Sequence, residues 1–190
     1  MNRLVSTPEQ AQEARGYLHE LWDWTKSILV ALLVVMVLHA YGFNIAAVRG
    51  HSMQPTLQDG EWLFVNKAIT HLRAPKRGEV IILEEPLPEE TEHRPFLVKR
   101  VVAVAGDEVM VRNGLLYVNG EHVAEPYADT PIEDGDYGPT VVGAHEVFVM
   151  GDNRHALASA DSRSFGVVST SLVEGRADYI MWPLREAQRL

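Results

Sequence analysis

The 190 residues suffice for one domain with a core of its own, and 46% of them are hydrophobic. A formal net charge of −9 excludes nucleic acid as the main partner, because neutralising phosphates takes a basic face. There is no cysteine, and the eight histidines show no metal-like pairing, so disulfides, zinc–thiolate sites, cysteine nucleophiles and bound metals are not expected. No Gly-rich phosphate loop occurs either, so no cofactor is implied.

In chain order, Thr7-Pro8-Glu9-Gln10 reads as a helix start, with Thr7 as the cap, Pro8 in the first helical position and Gln10 completing a capping box. Ala11, Ala14, Leu18 and Leu21 follow on one helical face, which predicts an amphipathic helix over residues 1–26. Ile28 to Leu38 is apolar without a break, and the stretch from Ile28 to Ala47 spans 20 residues. That is about 30 Å of helix, the hydrocarbon thickness of a bilayer. Trp22 and Trp24 lie where an interfacial aromatic belt would sit, with Lys26 at the boundary. A buried core helix and a cleaved leader ending at Ala40-Tyr41-Gly42 are alternatives. The length favours a transmembrane anchor over 27–47. Arg3, Arg15 and Lys26 before the span, against Arg49 after it, put the N-terminus in the cytoplasm.

From residue 48 the pattern turns to short strands and turns. Trp62–Val65 and Val80–Leu83 read as strands, Asp59-Gly60 as a turn and Pro75–Gly78 as a loop. Glu84 to Pro95, with three prolines and five glutamates, reads as a solvated mobile loop. Phe96–Ala105 is the longest β-like run. Val109–Arg112 and Leu115–Val118 flank Asn113-Gly114, which predicts a hairpin with a type I′ turn. Asn119-Gly120 is a further turn, and Ala128 to Gly143 a loop or small insert. Val147–Met150 and Arg176–Trp182 complete the strands. The expected fold class is mostly β, with antiparallel sheets.

Two residues stand out chemically. Ser52 lies in Val48-Arg49-Gly50-His51-Ser52-Met53-Gln54-Pro55-Thr56-Leu57, between a glycine that can bend the backbone and a proline that stops a helix. A serine on such a turn is either a turn residue or a nucleophile. Lys99 lies in an apolar run, and strand alternation puts it on a face with Leu97, Val101 and Ala103. Burial there lowers an amine's pKa and makes a general base; a strand-edge lysine that reaches water is the plainer alternative.

Ser52, Lys99 and the pair of segments Gly151-Asp152-Asn153-Arg154 and Ser159-Ala160-Asp161-Ser162-Arg163 together resemble the bacterial type I signal peptidases, from about residue 20 to 185. The shared motifs are Gly-x-Ser-Met-x-Pro-Thr-Leu, Asp-Gly-Glu, Lys-Arg-Val-x-x-x-x-Gly-Asp, Gly-Asp-Asn-Arg and Asp-Ser-Arg, in that order. The resemblance implies twisted antiparallel sheets of the signal-peptidase type and an extracytoplasmic catalytic domain over 48–190, with a small β insert at about 108–145. It implies a single-pass protein of the cell membrane, in contact with lipid and near the secretion translocon. It implies a serine endopeptidase that removes signal peptides after small residues of Ala-x-Ala type, with the substrate bound as an added strand. Ser52 would be the nucleophile and Lys99 the general base, through an acyl-enzyme. Ser159 would orient the lysine, with Ser162 as the alternative, because four residues rather than two separate Gly-Asp-Asn-Arg from Ser159. Gly50, Met53 and Pro55 would shape the turn and the oxyanion site. Asp152, Arg154, Asp161 and Arg163 would hold the active-site loop by charge pairing. Competing readings are another Ser–Lys peptidase, a hydrolase with a histidine base such as His51, and a membrane-anchored β domain that only binds partners.

Overall fold

The computed structural model describes residues 8–86 and 95–190, with side chains in the first helix described for residues 19–37. Two units divide at Tyr41/Gly42. The first is a single helix, α1 (Pro8–Tyr41). Pro8 opens it, as its fixed φ suits the first turn; the expected cap Thr7 lies outside the described residues, as do the side chains of Ala11, Ala14 and Leu18. The boundary expected near residue 26 is absent, since α1 runs through it. The expected span also stops short: Phe43–Ala47 is strand, not helix. Gly42 ends the helical run, and the next five residues pair with a strand instead. Among the described residues no helix is long and apolar enough to cross a membrane.

The second unit, Gly42–Leu190, is built on two antiparallel sheets. In chain order it contains β1 (Phe43–Ala47), β2 (Trp62–Asn66), α2 (Ala68–Leu72), β3 (Val80–Glu84), β4 (Phe96–Val104), β5 (Glu108–Arg112), β6 (Leu115–Val118), β7 (Glu121–His122), β8 (Tyr137–Val141), β9 (Glu146–Met150), α3 (Ser162–Phe165), β10 (Val168–Ser169), β11 (Val173–Trp182) and β12 (Gln188–Arg189). The large sheet runs β1-β2-β11-β3-β4-β9-β10, with β12 beside β11. The small one runs β7-β6-β5-β8. The mostly β class expected from the strand spacing is what forms. The short helices α2 and α3 were not foreseen; β8 falls in the stretch read as a loop or small insert, which contains Pro and Gly, and is held by pairing with β5, a tertiary effect.

Three apolar clusters make the core. Ile81, Leu83, Val101, Val147 and Val149 pack on one side of the central strands. The bulge between Val101 and Ala103 corrects the expected alternation: Ala103 joins the cluster with Val109, Leu116 and Phe148, and Val104 packs with the Val101 cluster. A third cluster takes Met53 and Leu57 from the Ser52 segment and buries them against Leu63, Val65, Ile82 and Ile180. Each such fully buried side chain stabilises by roughly 1.5–3 kcal/mol, so the Ser52 turn is pinned from below by two plugs.

Asn113 and Gly114 have φ of 51° and 76°, the pair of positive values that a type I′ turn requires. A Cβ on Gly114 would also lie 3.2 Å from the Ile132 carbonyl oxygen, whereas one on Gly120 (φ 79°) would meet nothing within 4 Å. Gly114→Ala is expected to lose about 1–2 kcal/mol of stability and Gly120→Ala about 1 kcal/mol, from the left-handed backbone penalty alone. Urea midpoints of the two variants check this, and equal losses would remove the contact as a cause.

Candidate active site

The segment between β1 and β2 carries Ser52 on a turn fixed by backbone bonds and one carboxylate. Val48 N–H donates to Glu61 O at 2.8 Å, Gly60 N–H to Val48 O at 3.0 Å and Leu57 N–H to Met53 O at 2.9 Å. Gly50, at φ 89°, donates its N–H to Asp59 Oδ1 at 2.7 Å. That N–H is therefore engaged and is not an oxyanion donor. The Gln54–Pro55 bond is cis. His51 meets Gln54 rather than Ser52, its Nδ1 lying 3.3 Å from Gln54 Nε2.

Lys99 sits in the middle of β4, paired with Ile81 of β3, and is only 2% exposed. Its Nζ is hydrogen-bonded to Ser52 Oγ at 2.7 Å. Burial drives the amine down to a pKa of about 8; Arg163 pushes in the same direction, while Asp161, Glu85 and Asp152 resist it. Such an amine has an appreciable neutral fraction near neutrality, and a neutral amine in contact with a hydroxyl can take its proton.

Both residues line a groove of about 370 Å³. Its lining also includes the stretches from Ala46 to Gly50 and from Pro95 to Val98, with Met53 and Ile82. The lining is largely apolar.

A third segment, Gly151 to Arg163, closes against the Ser52 turn. Asn153 N–H donates to Ser52 O at 3.1 Å, and Asn153 Nδ2 to His51 O at 3.0 Å. Asp152 accepts from Thr56 Oγ1 at 2.6 Å and from Arg100 Nε and Nη2 at 2.8 and 2.5 Å. One carboxylate thus ties the strand carrying Lys99 to the turn carrying Ser52. Asp161 caps α3 and holds Arg163 through two bonds of 2.9 Å. Burial would raise the Asp161 carboxyl, but Arg163 and the Gly151 N–H outweigh it and hold the pKa low.

The geometry brings Ser52, Lys99, Gly50, Met53 and the Asp161–Arg163 pair together. Asp152 and Arg154 do not pair with each other: Asp152 takes Arg100, and Arg154 takes Glu125 with bonds of 2.8 and 2.6 Å. Ser159 Oγ is buried beside Gly151 and makes no hydrogen bond of ordinary geometry. Ser162 Oγ, in contrast, accepts from the Val149 N–H at 2.9 Å. Asn153, Arg100, Thr56, Glu125 and Tyr127 received no role from the sequence. Arg100 had a readable signal, as a second cation inside the same apolar strand; the others are recognisable only by their tertiary partners.

Fold and site define a β-rich serine endopeptidase, a hydrolase with a hydroxyl and a buried amine in one groove. The chain belongs to the signal peptidase family, peptidase S26, whose profile matches residues 21–182. It is 34% identical over 181 residues to "Signal peptidase I" of Bacillus licheniformis, covering 90% of this chain and 94% of that one. It is 35% identical over 177 residues to "Signal peptidase I T" of Bacillus subtilis (strain 168), covering 88% of each. A crystal structure of a signal peptidase I from Enterococcus faecalis V583 superposes with a TM-score of 0.45 at 26% identity, over 55% of this chain and 97% of that one.

Two outcomes follow from this geometry. A Cβ on Gly151 would fall well inside contact distance of the Ser52 carbonyl oxygen and Ser159 Oγ. Gly151→Ala is expected to fold yet lose roughly 100-fold in cleavage rate, the scale of a 1 Å displacement at a reacting group; a rate near that of the parent would mean the turn yields freely. The second concerns stability. Lys99 has a folded pKa of about 8, below its unfolded value of 10.5. Its burial therefore costs about 3 kcal/mol below the folded pKa, at 1.36 kcal/mol per unit. The unfolded state binds more protons between those two values, so stability rises with pH across that window. Lys99→Met should stabilise the protein by about that amount near pH 6 and by much less near pH 10, read from urea unfolding at both.

Proposed function

We propose that the chain removes signal peptides from exported preproteins as a membrane-anchored enzyme, with Ser52 as nucleophile and Lys99 as general base. The observation that carries this is the 2.7 Å contact between Ser52 Oγ and the buried Lys99 amine in the groove. The substrate lies in the groove as an added strand between the 46–50 and 95–99 segments. Lys99 takes the hydroxyl proton as Ser52 Oγ attacks the scissile carbonyl carbon. The resulting ammonium gives that proton to the leaving amine, which departs as the N-terminus of the mature protein. Water, deprotonated by the same amine, then attacks the acyl-enzyme. The signal peptide leaves as a carboxylate, and Ser52 is restored. The Ser52 N–H is the backbone donor we assign to the developing oxyanion.

Ser159 is the residue we assign to orient the lysine. Its hydroxyl is buried near the Asp161 carboxylate without a hydrogen bond of ordinary geometry, whereas that of Ser162 already serves Val149. The apolar lining contributed by Val48, Met53, Ile82 and Leu97 supports a preference for small residues before the cut. For the anchor, every described residue from His19 to Val37 is exposed. A helix that is apolar all round from Ile28 to Val37 needs a nonpolar surrounding. Thr25 and Ser27 turn their hydroxyls onto carbonyls four residues back, at 2.7 and 2.9 Å, which removes two polar groups from the helix surface. We read this helix as holding the β domain at the extracytoplasmic face of the cell membrane, beside lipid and the secretion machinery.

The test is cleavage of a preprotein by purified protein in detergent. Ser52→Ala, Lys99→Ala and Lys99→Arg should each abolish it without unfolding the protein, since a guanidinium cannot serve as a base near neutrality. Ser159→Ala should slow it strongly but less completely. Peptides with leucine just before the cut should resist. Catalytic efficiency should rise with pH through an apparent value of about 8, where Lys99 gives up its proton. Turnover by Lys99→Arg, or a rise only near the free-lysine value of about 10.4, would rule out Lys99 as the base.

A further inference from the structure

The connection from β7 to β8, which leaves the small sheet and returns to it, makes contacts that a peripheral loop has no need of. Glu125 binds Arg154 through both carboxylate oxygens, at 2.6 and 2.8 Å. Arg154 is fully buried, and its Nε donates to Gly151 O at 2.7 Å. Tyr127 receives two guanidinium groups, its ring centroid 4.1 Å from Arg100 Cζ and 5.9 Å from Arg154 Cζ. Its hydroxyl donates to Glu125 Oε1 at 2.8 Å, and burial together with that carboxylate keeps the phenol protonated. Further along, Glu133 N–H donates to Arg154 O at 3.0 Å, the Glu133 carboxylate accepts from the Ala156 N–H at 3.0 Å, and the Asp134 carboxylate accepts from the Leu157 N–H and Arg163 Nη1, both at 2.7 Å.

These partners are not arbitrary parts of the large sheet. Arg100 is the neighbour of Lys99 in β4, facing the opposite side of the strand, and its other hydrogen bonds go to Asp152 and to Gly78 O. Arg154 grips the carbonyl of Gly151, the glycine whose face abuts both the Ser52 carbonyl and Ser159. Two cations of like charge are thus drawn to one ring, and each sits one short step from a reacting group.

We propose that Glu125 and Tyr127 are positioning residues of the peptidase reaction: from the small sheet they fix Arg154 and Arg100, and through these the distance between Ser52 and Lys99. The inference rests on the Ser52–Lys99 reading above. An electrostatic clamp suits this task better than apolar packing, because bidentate bonds and a stacked guanidinium fix direction as well as distance. A loosened clamp lets β4 and the Gly151 turn drift apart and admits water to Lys99. Both effects slow proton transfer, and the second moves the lysine pKa back toward that of the free side chain.

The experiment compares the full-length protein with Tyr127→Leu, Tyr127→Phe and Glu125→Gln in detergent, using one synthetic signal-peptide substrate over a range of pH, with thermal unfolding and a Ser52→Ala control alongside. Tyr127→Leu and Glu125→Gln should lower kcat by about 10- to 100-fold with KM changed little, the scale of a misplaced reacting group. Their efficiency profiles should rise at higher pH than that of the parent. Tyr127→Phe keeps the ring over Arg100 and should recover most of the loss. The inference is overturned if folded Tyr127→Leu and Glu125→Gln cleave within about threefold of the parent, or if their losses only follow the unfolded fraction with an unshifted pH profile. Should Tyr127→Leu fail to fold, Glu125→Gln, which preserves shape, decides between the same outcomes. A Ser52→Ala protein that still cleaved would instead overturn the dyad, whatever the Tyr127 variants do.

Discussion

The structure depends on keeping one amine dry. Lys99 lies on a strand face among Ile81, Leu97 and Val101, and burial there is the largest influence on its protonation. Water at that point would return the amine to the ordinary lysine range and leave it charged near neutrality. The surroundings therefore have to be apolar enough to disfavour the ammonium and still offer a hydrogen-bond partner for the neutral form. Ser52 Oγ is that partner, so the hydroxyl of the Ser52 turn satisfies the buried amine.

A single strand carries two opposite electrostatic problems. Adjacent residues of β4 face opposite sides, so Lys99 and Arg100 point into different environments although they are neighbours in sequence. Among the described residues no carboxylate pairs with Lys99, while Arg100 receives Asp152 through two bonds. A guanidinium cannot shed its proton under these conditions, so burying it demands a paired anion, whereas a lysine can be buried neutral. Reversing the two residues would leave a permanent charge beside Ser52 and a titratable amine where a fixed ion pair is needed. The same Asp152 also accepts from Thr56, so the pairing that solves the Arg100 problem sets the Ser52 turn as well.

Much of this was legible in the chain. Ile81, Leu83, Val101 and Val149 show themselves as apolar strand residues, Asn113-Gly114 as a hairpin turn, and Lys99 as a cation out of place in an apolar run. These features are local: alternation, turn chemistry and composition act over a few residues. What stayed hidden is set by distant partners. Asp152 and Arg154 look like a pair two residues apart, yet each finds its counter-ion in another segment, at Arg100 and Glu125. The bulge after Val101 moved Ala103 to another cluster, since strand alternation fails wherever one extra residue enters the ladder. The helical span expected through Ala47 lost its last five residues to β1, because pairing with β2 outweighed a propensity that only length had suggested.

The polar construction around the groove follows from what each kind of interaction can specify. Apolar burial is non-directional, and it fixes Met53 and Leu57 in depth without fixing the angle at which Ser52 is presented. Buried ion pairs add little net stability, because desolvation offsets most of their attraction. They do impose direction. Asp161 on Arg163, Asp152 on Arg100 and Glu125 on Arg154 converge from three segments on the 151–163 stretch that faces Ser52. The clusters of valine, leucine and isoleucine supply the stability, and the charge pairs spend part of it on geometry. A hydroxyl and an amine held 2.7 Å apart are fixed in direction as well as distance, which packing alone does not give. The buried charges of Asp152, Arg154 and Asp161 therefore lie where the 151–163 stretch meets the Ser52 turn.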